Sequence, residues 1–305
     1  MISAMAIKEL FYDNRPRVLL DPRASLRVDP RFKFTRDSTG TYVDVNGIIR
    51  TAGVDEPRFD YDPVTGESLG LLIEESRTNF ITRSEELNDT DSTTGWAAQS
   101  SSVLPNVISS PDGKTTADKL VENNLTAEHY IRTKSTASVV SGNKYTISIF
   151  AKPAERSILK IAAFTSTLPG TVTFDLTNQT ISENGAIGNP VQVLPNGWYR
   201  CSATFTASAS SATFSYFYLS GFYAGDGTSG MYLWGAQFEA GSSCASSYIP
   251  TTTSAVTRSQ DLLSIEGPLP ATGSLYIDAR AIGVEENDTL LSLKNDNNNK
   301  IDLAY

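Results

Sequence analysis

Lys144–Lys152 reads KYTISIFAK, and its alternation decides the fold. Tyr145, Ile147 and Ile149 fall on one side of an extended chain, and Thr146, Ser148 and Phe150 on the other. That two-residue period belongs to a β-strand and not to a helix. Working outward, segments of the same kind occur at Asp118–Val121, Ile158–Thr165, Thr171–Leu176, Trp198–Thr206, Thr213–Leu219 and Met231–Glu239, separated by Gly, Pro, Asn and Ser clusters. Many short strands with no helical period between them predict an all-β protein, with a jelly-roll β-sandwich as the best match.

Composition supports the same class. Hydrophobic residues make up 40% of the 305 and charged residues only 19%, which suits sandwiches with polar turns better than helical bundles. The length allows two domains, each with a core. With 25 basic and 34 acidic side chains the net charge is −9, which argues against nucleic-acid binding, since neutralising phosphates needs a basic stripe. No apolar run approaches the length of a membrane span, and Lys8 and Glu9 interrupt Met1–Leu10 where a signal peptide would be apolar. Cys201 and Cys244 are too few for a disulfide framework and are expected to be reduced, Cys201 as a small core residue.

Five regions follow. Residues 1–33 lack a useful period, are broken by Pro16, Pro22 and Pro30, and read as an extended arm. The arm is basic, and Arg15, Arg17, Arg23, Arg27 and Arg31 suit charge-assisted hydrogen bonds to a partner; a solvated arm is the alternative. Residues 34–78 read as a small β collar, with Asn46-Gly47 predicting a type I′ hairpin turn and Pro63–Gly66 a second turn. The sandwich takes 79–244, and the Ser/Thr-rich 245–261 is a connector. From Leu262 a second β pattern begins, LLSI, SLYIDARA and DTLLSLKN, which would be the start of another sandwich over 262–305.

Chemistry is sparse. His129 is the one histidine and has no nucleophile motif around it. There is no Gly-x-Ser-x-Gly elbow and no zinc spacing. Glu74-Glu75, Glu85-Glu86 and Glu285-Glu286 are adjacent, and consecutive strand residues face opposite ways, so none makes a natural acid–base pair. The expectation is a protein that binds and does not catalyse. Aromatic faces stack on pyranose rings, and Tyr216 and Tyr218 share one face of their strand; with Tyr223 they are the candidate glycan-binding residues. Filling the core is the competing role for such aromatics, Trp198 above all.

Two longer stretches frame the sandwich: FTRDSTGTYVDVNGIIRTAGVDEPRFDYDPVTGESLGLLIEESRTNF at Phe34–Phe80, and LWGAQFEAGSSCASSYIPTTTSAVTRSQD at Leu233–Asp261. With NGWYR at Asn196–Arg200 between them, this arrangement resembles bacteriophage tail-fibre and minor tail proteins. In those, the same brackets enclose a carbohydrate-binding-module-like jelly roll, often followed by a laminin-G-like or concanavalin-like sandwich. The resemblance implies a structural tail component, assembled in the host cytoplasm and carried on the virion. Its N-terminal arm would dock on other tail or baseplate proteins, and the module would contribute to host attachment, possible host glycan included. It also implies a homotrimer, with Arg36, Arg58, Asp60, Glu74, Glu75 and Arg77 of the collar pairing between subunits. No cofactor is expected beyond a structural calcium ion, for which Asp118 and Glu239 lie in the segments that supply ligands in such modules. Two alternatives stay open: the N-terminal part of a tailspike-type polysaccharide depolymerase, and a stand-alone glycan-binding module.

Overall fold

Strand alternation builds two antiparallel sheets packed face to face. The structure, a computed structural model, describes residues 26–28, 30, 32–163, 166–241, 243–265, 289–294 and 300–304. One sheet has six strands in the order Trp96–Gln99, Thr126–Thr133, Ser215–Ala224, Ile158–Ala163, Thr171–Asp175 and Thr180–Asn184. The other runs Ser101–Ile108, Ala117–Glu122, Gly230–Ala240, Lys144–Pro153, Tyr199–Thr206 and Ile187–Gly188, with Gln192–Val193 also pairing on Tyr199–Thr206. This is an all-β jelly-roll sandwich, as the alternation predicts. Tyr145, Ile147, Ile149 and Ala151 point into a core shared with Ile131, Leu159, Ile161, Phe217 and Leu219 of the facing sheet. Cys201 is wholly buried there, and desolvation holds its thiol protonated.

The two sheets differ in what covers their outer faces. On the Lys144–Pro153 sheet the alternate residues are also buried. Phe150 and Trp234, opposed across two strands, form a second apolar cluster with Ile49 of the collar and with Tyr248 and Trp198. Gly235 takes a positive φ of 62° at the register shift here, and a Cβ would lie 2.9 Å from the Phe150 ring. The second face of KYTISIFAK is therefore a second core, closed by chain from outside the sandwich.

That cover is a composite. The segment 245–261, expected as a connector, is a buried strap: Tyr248, Ile249, Thr251, Arg258 and Asp261 are all buried, and Val256–Arg258 pairs with Arg77–Asn79. Leu262–Ile265, expected as the first strand of a second sandwich, pairs with Phe32–Thr35, so the collar is built from both ends of the unit. Thr289–Lys294 and Lys300–Ala304 form an antiparallel hairpin, and the expected strand at 274–281 lies outside the described residues. The collar's first hairpin also departs from expectation. Only Gly47 of the Asn46-Gly47 pair has positive φ, 73°, in a three-residue connection from Asp44 to Ile48. The Asp44 carboxylate accepts the Asn46 and Ile48 N–H groups, which favours this turn over type I′.

The collar charges do not wait for other subunits. Arg36 and Arg58, both buried, each donate to Asp261, Arg36 at 3.1 Å, and Arg58 also lies 2.8 Å from Glu74. Arg258 pairs with Glu74 at 3.6 Å. Burial pushes the Glu74 carboxyl up, but the Arg258 and Arg58 guanidiniums outweigh it and hold the group below its ordinary range. Arg77 pairs with its neighbour Glu75 in the same chain. These pairs are made inside one chain, which corrects the expectation of pairing between subunits.

Candidate open-face aromatic site

The outer face of the six-stranded sheet is where the exposed chemistry collects. Along Ser215–Ala224, Phe217 and Leu219 face the core while Tyr216 and Tyr218 face out. Register carries the pattern sideways: Tyr218 opposes Tyr130 on one neighbouring strand and Lys160 on the other, and Tyr216 opposes Arg132. The Tyr130 ring lies 4.7 Å from Tyr218 and 5.6 Å from Tyr216. Tyr216 and Tyr218 stack at 6.0 Å with 17° between their planes. Three half-buried phenol rings thus form one platform in the middle of the sheet.

A bulge extends it. Opposite His129 the partner strand has three residues, Leu219, Ser220 and Gly221, and Ser220 takes φ 67°. The shift brings Phe222 opposite Glu128, on the same outer face as the tyrosines, with 72% of its surface exposed. The Phe222 ring thus adds exposed apolar surface to the face that carries the tyrosines. His129 points inward and is fully buried, its Nδ1 2.6 Å from the Ser100 carbonyl oxygen. It holds the bulge in place and has no catalytic setting.

Charged groups rim the rings. The Lys160 ammonium sits 4.0 Å from the centre of the Tyr218 ring and donates to Glu128 at 3.0 Å. Arg132 lies over Phe214 at 4.6 Å. Burial, then the Glu128 charge, raises the Tyr218 phenol; burial, then Tyr216, raises Tyr130. Both hydroxyls stay protonated at neutral pH and can donate as well as accept. An aromatic patch with hydroxyl, ammonium, guanidinium and carboxylate groups at its edge offers ring contacts and hydrogen bonds to a polyhydroxylated ring.

Tyr223, grouped with these residues on sequence, belongs elsewhere. Its hydroxyl donates to Glu122 at 2.5 Å, and its ring sits between His129 at 4.7 Å and Arg156 at 5.2 Å. Glu122 also accepts two bonds from Arg156, at 2.6 and 2.8 Å, and the Asp226 N–H, so all its acceptor capacity is used in bracing the sandwich end. Tyr130, Phe222 and Lys160 were not singled out by sequence. The alternation of Glu128, Tyr130 and Arg132 was a signal for the first; the Phe222 orientation depends on the bulge.

Asp118 and Glu239 do not meet. Asp118 opposes Leu233, six residues from Glu239 along its strand, which is roughly 20 Å of extended chain. Asp118 accepts the Leu87 and Asn106 N–H groups, while Glu239 accepts from Ser246 and Gln237. The expectation that the two share one calcium site is thereby corrected. Among the described residues no group of three or more His, Cys, Asp or Glu is placed to hold a metal ion. Of the arm arginines, Arg15, Arg17, Arg23 and Arg31 lie outside the described residues, and Arg27 is exposed.

No protein-family model matches the chain, and no curated protein does. Among solved structures it is similar to the CBM22-1 xylan-binding domain of Paenibacillus barcinonensis Xyn10C, at 13% identity and a TM-score of 0.29, over 53% of this chain and 92% of that one. It is also similar to the CBM22-1–GH10 modules of Clostridium thermocellum xylanase 10B complexed with xylohexaose, at 14% identity and 0.31, over 58% of this chain and 30% of that one. A third is a carbohydrate-binding module of the β-sandwich superfamily, at 10% identity and 0.30, over 62% and 77%. Scores and identities this low leave the functional reading to the residues themselves.

Proposed function

We propose that this protein is a glycan-binding module that acts through the open face of its six-stranded sheet, by binding and without catalysis. The observation that carries the reading is the outward platform of Tyr130, Tyr216 and Tyr218, extended by the 72%-exposed Phe222, on a sheet face that the described chain leaves bare while covering the other. Apolar pyranose faces lie on such rings, and Lys160, Glu128 and Arg132 supply the polar partners that orient hydroxyls. Binding of soluble polysaccharides in affinity gels, followed by titration of the best ligand, tests it. Tyr218→Ala and Phe222→Ala are each expected to cost about 1–2 kcal/mol of binding, roughly 5–30-fold in affinity. Phe222→Ala leaves the core untouched, so retention of full affinity in that variant and in Tyr216→Ala would overturn the reading.

The setting of the module on a phage tail, anchored by the basic arm and threefold, is carried by the resemblance of Phe34–Asp261 to tail-fibre and minor tail proteins. One structural fact bears on it: both brackets of that resemblance meet in a single buried charge network, Arg36, Arg58 and Glu74 from one and Arg258 and Asp261 from the other. Threefold presentation would convert weak single-site affinity into firm attachment. Light scattering coupled to size exclusion is expected to give a trimer; a monomer at micromolar concentration would remove the threefold part of this setting.

A further inference from the structure

A cavity of about 300 Å³ lies on the side of the sandwich away from the open aromatic face, where the collar meets it. Tyr232 and Lys152, directly opposed on neighbouring strands, both line it from the sheet. Trp198 and Asn196 line it from the turn before Tyr199–Thr206, and Gly47 and Ile48 from the collar hairpin. The Trp198 indole N–H donates to the Ser109 carbonyl at 3.0 Å, which fixes that wall. The hairpin presses on the turn so closely that a Cβ at Gly47 would stand 2.3 Å from the Pro195 ring. The cavity is thus a product of docking and belongs to neither part alone.

Its chemistry is uneven. The lining is mostly apolar and aromatic, and the Lys152 ammonium in it has no hydrogen-bond or ion-pair partner among the described residues; the exposed Asn196 carboxamide has none either. Lys119 and Lys114, by contrast, are paired, with Glu155 and Asp112 respectively, each at 2.7 Å. An ammonium at the wall of a mostly apolar cavity can hold a ligand carboxylate through charge-assisted hydrogen bonds. The volume is at the small end for ligand sites, suited to one ring and not to a chain. We infer that this junction cavity takes a single carboxylate-bearing pyranose of the uronic-acid kind, its carboxylate on Lys152, a hydroxyl on Asn196 and its ring against Tyr232. The ligand class rests on the glycan-binding reading above; the place and the charge do not.

Titration calorimetry on the full chain with D-glucuronate, D-glucose and acetate separates the contributions of ring and charge. Glucuronate is expected to bind at least ~10-fold more tightly than either of the others, the value of one charge-assisted hydrogen bond. Lys152→Met should lose that margin, Lys152→Arg should keep most of it, and Tyr218→Ala should leave glucuronate binding unchanged. Equal binding of glucose, equal binding of acetate, or indifference to Lys152→Met would each overturn the inference. Loss of glucuronate binding in Tyr218→Ala would also overturn it, by placing the sugar on the open face, and would leave the first reading standing. Failure of Tyr216→Ala and Phe222→Ala to affect polysaccharide binding, with glucuronate still dependent on Lys152, would do the reverse.

Discussion

Asp60 sits beside the buried charges that join the collar to the strap, and burial raises its carboxyl from an ordinary 3.8 to about 6. The Val43 N–H, donating at 2.7 Å, and Arg58 oppose that rise, and the Glu74 charge adds to it. The folded protein therefore holds a proton that the unfolded chain releases near pH 4. This group's contribution to stability is fullest below the unfolded pKa and is lost as pH rises through about 6. Asp60→Asn removes that loss and keeps a carbonyl acceptor for Val43. It should stabilise the protein at pH 8 by at most about 3 kcal/mol, with the gain vanishing at pH 4. Urea unfolding at the two pH values measures it, and an equal gain at both would show that the carboxyl is not held up by burial. Asp261 is the opposite case. It pairs with two buried guanidiniums at once, so losing it would leave Arg36 buried without a carboxylate and Arg58 with Glu74 alone.

At the level of elements, one local irregularity decides what the open sheet presents. A regular pairing of Thr126–Thr133 with Ser215–Ala224 would run unbroken from Tyr130–Tyr218 to the strand end. The extra residues at Ser220-Gly221 interrupt it, give the inward His129 its room, and still return Phe222 to the outer face. The alternation that exposes Tyr216 and Tyr218 was legible in TFSYFYL, because period two fixes sidedness along a regular strand. The bulge was not legible: neither Ser220 nor Gly221 announces two extra residues, and the need for them arises only from the partner strand. The same holds for KYTISIFAK. Its alternation was plain, but burial of both its faces depends on the arrival of Ile49 and Tyr248 from distant parts of the chain.

For the whole molecule, the decisive fact is that the chain enters and leaves the unit side by side. Phe32–Thr35 and Leu262–Ile265 are antiparallel partners, with Lys33 opposite Ser264. The described unit is thus entered at Phe32 and left at Ile265 from directly opposed positions. Directly opposed antiparallel Cα atoms lie about 4.5–5.5 Å apart, inside the range a disulfide spans. In a Cys244→Ser background, Lys33→Cys with Ser264→Cys should therefore close an intramolecular cross-link under mild oxidation, visible as a mobility change on a non-reducing gel. Cross-linked dimers without the intramolecular species would show that the pairing is exchanged between chains. The sequence by itself determined the all-β class, most strands and the outward pair Tyr216 and Tyr218, because those follow from a two-residue period and from turn residues acting over a few positions. Only the tertiary structure decided that the collar and the 245–261 strap are one body, that their arginines pair within the chain, that Tyr223 serves Glu122, and that Asp118 and Glu239 stay apart. Each of these is a meeting of residues tens to hundreds of positions distant, set by register, burial and charge neutralisation, to which local pattern is blind.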